Sequence, residues 1–133
     1  MKELNTGDAV PINNPFCLHN ELLQELEERD RCVFRMEVKP FHKNYYGNVH
    51  GGVFFSLADS AAGFAARTDG RYYVTQTADM HYVRGESQGV VRADARVRYR
   101  GRTTALIHVD VTNEDGKLLA TGEFTYYCIS DRM

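Results

Sequence analysis

Two groups in this chain could do chemistry together. A diglycine, Gly51-Gly52, follows His50, and the apolar run behind it, Val53 to Ala66, carries a single charge, Asp59. A carboxylate in such a run is either partnered or functional, because burying it alone costs on the order of several kcal/mol. If the run is a helix, its first N–H groups lack intrahelical acceptors and carry partial positive charge, which suits an oxyanion. Glycine at that point leaves room for a carbonyl to approach. The helix start therefore fits the oxyanion formed when a carbonyl is attacked, and Asp59 is a carboxylate that needs a partner or a role. Plainer roles exist for each residue: a tight loop-to-helix turn for the diglycine, a helix-terminal hydrogen bond for His50, and a structural acceptor for Asp59.

The elements that position these residues can be read from pattern. Asn48 to Arg67 reads as one helix, apolar nearly all round and hence buried, with Ala, Gly and Ser letting a sheet come close. Upstream, Asn14-Pro15 resembles an N-cap and first-turn proline opening an amphipathic helix that presents Phe16, Leu22, Leu23 and Leu26 and ends near Arg29. Residues 32–38 alternate as a strand, and a polar, aromatic loop, PFHKNYYGNVH, leads into the central helix. Four more strands follow over 72–83, 90–100, 103–112 and 118–129, the last turn marked by Asn113-Glu114-Asp115-Gly116. In the 90–100 strand, Val91, Ala93, Ala95, Val97 and Tyr99 read as inward, and Arg92, Asp94, Arg96, Arg98 and Arg100 as outward. The expected architecture is α+β, an antiparallel sheet of about five strands wrapped around one central helix. Long strands with exposed edges call for a symmetric dimer.

At 133 residues the chain fits a single domain, with 1–13 a loose tail. Hydrophobic residues at 43% and charged ones at 26% are ordinary for a globular protein and argue against disorder or a membrane span. An N-terminus without an apolar signal segment points to the cytoplasm. Cys17, Cys32 and Cys128 are odd in number and lack CxxC spacing, so neither a disulfide framework nor a metal site is indicated. The arginine cluster permits a nucleic-acid reading, but the net charge of -2, with no nucleic-acid-binding module and no stripe of stacking aromatics, argues against such a partner.

Asn44, His50-Gly51-Gly52 and Leu57-Ala58-Asp59, followed by Tyr82-Val83-Arg84 and Arg100-Gly101-Arg102-Thr103, form a pattern that resembles the hotdog-fold acyl-CoA thioesterases of the phenylacetic-acid-degradation branch, over roughly residues 30 to 130. The resemblance implies hydrolysis of an acyl-CoA to the free acid and coenzyme A. Gly51 would donate its N–H to the thioester carbonyl and Asp59 would be nucleophile or general base. Asn44 would help hold the thioester or its attacking water, with His50 in support. A hydroxyl beside the Asp would come from Thr75 or Thr77, which share a face in simple alternation; counting back from Tyr82 favours Thr75. Arg100 and Arg102, then Arg84, would meet the coenzyme A phosphates. No metal and no separate cofactor is implied, since coenzyme A arrives with the substrate. Gly51 and Asp59 lie about 12 Å apart along one helix, whereas reacting groups sit about 3–3.5 Å apart. The two must therefore come from different subunits of a homodimer, possibly within a homotetramer. The chain departs from the family at Arg84-Gly85-Glu86, where relatives often place a proline after the Arg. Two other functions fit the same pattern: a hotdog hydratase or dehydratase, and a non-catalytic acyl-CoA-binding protein. Tyr45, Tyr46, Phe54 and Phe55 are either pocket or core, and the acyl group is unspecified.

Overall fold

The computed structural model describes residues 9–131. Its organising element is α2, Gly51–Ala66, enclosed on one side by a single antiparallel sheet. The strands are β1 (Val10–Pro11), β2 (Leu23–Glu28), β3 (Arg31–Glu37), β4 (Tyr72–Tyr82), β5 (Val90–Arg100), β6 (Thr104–Thr112) and β7 (Leu118–Ser130). Their spatial order is β1-β2-β3-β5-β6-β7-β4, so β4, which follows the helix directly, crosses to the far edge. This is the hotdog architecture, a long helix wrapped by a curled sheet.

Alanine makes the wrapping possible. Ala58, Ala61, Ala62, Ala65 and Ala66 are fully buried, and with Leu57 and Phe54 they seat the helix on Phe34, Met36, Ile107, Val109 and Phe124. Small side chains let the sheet backbone approach, and the large residues come from the strands. The opposite side of α2 is less covered: Val53, Phe55, Ser56, Asp59, Ser60, Gly63 and Phe64 remain half-exposed and Gly52 exposed. The helix is thus not buried all round within one chain.

Two expectations need correction. The helix from Pro15 is short: α1 is Pro15–Asn20, capped by Asn14, and it stops at Glu21, whose φ of 56° ends the turn. Residues 23–28 then run as β2 and pair with β3 around Arg29-Asp30. The segment LLQELEE has good helix formers, but pairing along β3 overrides that weak preference. The sheet accordingly has seven strands rather than about five, and Val10–Pro11, expected in a loose tail, pairs with β2; residues 1–8 of that tail lie outside the described residues.

Bulges also break the simple alternation. Between Val97 and Tyr99 the β5–β6 register shifts, so Tyr99 faces outward, 59% exposed, and Arg100 turns inward. A second bulge, between Thr75 and Thr77, pairs Thr75 with Tyr126 and Thr77 with Thr125. Neighbouring residues on a strand face opposite sides, so Thr75 lies on the helix side and Thr77 on the outer face. The outward arginines of β5 are laced with acids: Arg92 pairs with Glu25, and Arg96 with Asp94, which also holds Arg31.

Candidate active site

His50 caps α2. Its Nδ1 accepts the Gly52 N–H at 2.9 Å, which places the ring proton on Nε2, and its carbonyl accepts from Val53 at 2.8 Å. Gly51 N–H, next to these satisfied donors, has no acceptor among the described residues. The diglycine therefore divides its work. A Cβ on Gly52 would sit 3.1 Å from His50 Nδ1 and disturb the cap, whereas Gly51 faces the Tyr82 ring at an ordinary 3.5 Å and supplies the open donor.

The loop before the helix is held by its own side chains. Asn44 Oδ1 accepts from the N–H groups of Tyr46 and Asn48, and Asn44 N–H donates to the Asn48 carbonyl at 2.7 Å. Buried His42 joins this loop to α1: Nδ1 accepts from Lys39 N–H, and Nε2 donates to the Asn20 carbonyl at 2.7 Å. Its own carbonyl takes the His50 N–H. Asn44 and His50 thus shape the approach to Gly51, while Tyr45 and Tyr46 stand in solvent, 96% and 83% exposed.

Asp59 is the half-buried carboxylate of the helix, and it is gripped on one oxygen. Thr75 Oγ1 donates to Oδ1 at 2.9 Å, as counting from Tyr82 indicated and as the bulge denies to Thr77. A second donor escaped the sequence reading. The Tyr126 hydroxyl, on β7, donates to Asp59 Oδ1 and to the Asp59 backbone carbonyl. Burial, and then the Asp59 charge, push the Tyr126 phenol well above its ordinary range, so it stays a protonated donor. Gly63 makes room for it, since a Cβ there would lie 3.2 Å from the Tyr126 oxygen. Asp59 Oδ2 has no protein partner among the described residues, and the carboxylate opens on a cleft of about 460 Å³ along the exposed side of α2.

Of the three arginines expected at the phosphates, Arg100 is committed elsewhere. Turned inward by the β5 bulge, it bonds Asp30 at 2.9 Å, Asp69 at 2.8 Å and the Ala66 carbonyl at 2.8 Å, closing the C-terminal end of the helix onto the sheet. Its guanidinium has no open face for a phosphate. Asp69 belongs to the same cluster: burial raises its carboxyl, but hydrogen bonds from Tyr73 and Arg71 and the Arg100 charge outweigh that and bring it to about 2. Arg102 is exposed at this end of the helix. Arg84 is exposed two residues beyond Tyr82, on the segment whose Glu86 carbonyl takes the Val49 N–H, beside the Gly51 end. Among the described residues no His, Cys, Asp or Glu cluster could hold a metal ion, and no helix is long and apolar enough to cross a membrane.

Residues 46–120 match the thioesterase superfamily model, and the chain belongs to that superfamily. It is 30% identical to the acyl-coenzyme A thioesterase PaaI of Escherichia coli over 90 residues, 67% of this chain and 64% of that protein, so it spans somewhat less than two thirds of that relative. The PaaI structure superposes with a TM-score of 0.86 at 24% identity over 89% of this chain and 86% of that one. A hypothetical thioesterase protein from Streptococcus pneumoniae, solved with coenzyme A, gives a TM-score of 0.76 at 30% identity over 80% and 85% of the two chains.

Proposed function

We propose that the protein hydrolyses acyl-CoA thioesters in a site shared between two copies of the chain. The observation that carries this reading is Asp59: both neutral donors, Thr75 and Tyr126, engage Oδ1, which leaves Oδ2 directed at a reactant. Oδ2 either attacks the thioester carbonyl or takes a proton from the water that does. The electron pair moves onto the carbonyl oxygen, where the Gly51 N–H of the second copy receives it. Collapse breaks the C–S bond, and the thiolate leaves to be protonated as coenzyme A; where Asp59 itself attacked, a water then cleaves the acyl–Asp59 anhydride, releasing the free acid and restoring the carboxylate.

The second copy enters for geometric reasons. Eight residues separate Gly51 from Asp59, about 12 Å on one helix, too far for one carbonyl to meet both. A symmetric dimer supplies the missing half of each site and gives the solvent-facing edge of β4 a partner. Resemblance to a coenzyme A-bound neighbour supports the substrate class. Arg84 and Arg102 are the arginines left to meet the phosphates. Release of free thiol from a panel of acyl-CoAs tests the reading: Asp59→Asn, with its fold and melting temperature retained, should abolish it, and unchanged turnover would refute the mechanism.

A further inference from the structure

We propose that the cleft beside Asp59 is the acyl pocket and that Arg67 at its far end selects acyl chains ending in a carboxylate, making the preferred substrate the coenzyme A thioester of a dicarboxylic acid. This rests on the hydrolase reading and adds the acyl class to it.

Ser56, Ser60, Gly63 and Arg67 recur every three or four residues and so form one stripe of α2, with Asp59 beside it. Ser56 and Ser60 turn their hydroxyls back onto the carbonyls four residues earlier, at 2.8 Å each, which leaves a shallow floor. Phe55 and Phe64 from the helix and Phe16 from α1 add apolar surface to the cleft of about 460 Å³. Such a channel suits methylene groups or a ring.

Among the described residues Arg67 is the one cation lining it. Its neighbours are occupied, Arg71 by Asp69 and Arg100 by Asp69 and Asp30. Arg67 itself has no carboxylate within ion-pair distance among the described residues. Glu27 shares a hollow with it on another side, but accepts from Gln24 Nε2 at 2.7 Å instead. The guanidinium carbon lies 4.2 Å from the centroid of the Phe64 ring, so one face is stacked and the N–H edge is left for a ligand.

Spacing sets the chain length. Phe64, on which the guanidinium stacks, is five residues beyond Asp59, about 7.5 Å along the axis. An acyl chain of roughly six to eight carbons fills that span between the attacked carbonyl and a terminal carboxylate.

The test uses two non-hydrolysable coenzyme A thioethers with a six-carbon chain, one ending in a methyl group and one in a carboxylate. Calorimetry on the wild-type protein should show the carboxylate analogue binding about tenfold more tightly, the lower end for a charged hydrogen bond because Arg67 is exposed. Arg67→Met should bring the ratio close to one, and Arg67→Lys should keep most of it. A wild-type ratio near one, or a ratio that survives Arg67→Met, overturns the proposal. Turnover of hexanoyl-CoA and adipyl-CoA is measured alongside. Failure to hydrolyse either would end the hydrolase reading while the binding ratio still tests the pocket.

Discussion

Removing the Tyr126 hydroxyl should damage catalysis far more than folding. In Tyr126→Phe the ring keeps its place in the core, where Tyr126 is 3% exposed, but Asp59 loses one of the two donors on Oδ1 and its backbone carbonyl loses a partner. A hydrogen bond to a charged acceptor contributes about 1.5–3 kcal/mol. Thr75 still holds the same oxygen, so the lower end applies, and about 1.4 kcal/mol is tenfold in rate. We therefore expect kcat to fall about tenfold with KM nearly unchanged, because the hydroxyl touches the carboxylate and not the substrate. Gly63→Ala should push the same way, its new Cβ meeting the tyrosine oxygen at 3.2 Å. Steady-state thiol release, with thermal melting as a fold control, makes the measurement. A Tyr126→Phe kcat within about twofold of wild type, or a loss that appears wholly in KM, would refute the orienting role.

Two further outcomes follow from the bulge in β4 and from the acid-rich end of the helix. Thr75→Ala should lower kcat by about tenfold, whereas Thr77→Ala, on the opposite face of the strand, should leave it within about twofold; equal effects would mean the register is wrong. Asp69 is held down to about 2, so its contribution to stability is present above the ordinary carboxylate range and is lost as pH falls from about 4 through 2. Melting curves across that window should steepen for wild type relative to Asp69→Asn, which should itself be about 2 kcal/mol less stable at neutral pH for breaking a largely buried pair with Arg71 and Arg100. Parallel pH profiles for the two proteins would contradict this.

The central helix, β3 and the last four strands were legible because each has a clean period and an obvious turn. The spacing of His50, Gly51 and Asp59 was legible too, since helix geometry fixes it locally. What sequence periodicity missed lies where tertiary pairing overrides local pattern. Leu23–Glu28 has helix-forming residues and became a strand because β3 offered it a ladder. Arg100 continued an outward series and was read as a free cation, until one bulged residue turned it onto Asp30 and Asp69. Tyr126 lies 67 residues from the carboxylate it touches, and nothing in β7 distinguishes it from neighbouring tyrosines until β4 and α2 are assembled beside it. Gly63 gave one late hint, a glycine one turn beyond Asp59 in a helix otherwise rich in alanine.

The claim that each site draws Asp59 from one subunit and Gly51 from the other is tested by complementation. Asp59→Asn and Gly51→Val chains, each inactive as a homodimer, are co-expressed with different tags and purified through both. Crossed pairing then rebuilds one site, from the Asp59 of the valine chain and the Gly51 of the asparagine chain, while the other site carries both lesions. The account predicts about half the wild-type activity per dimer in this heterodimer. A purified heterodimer as inactive as its parents would contradict it.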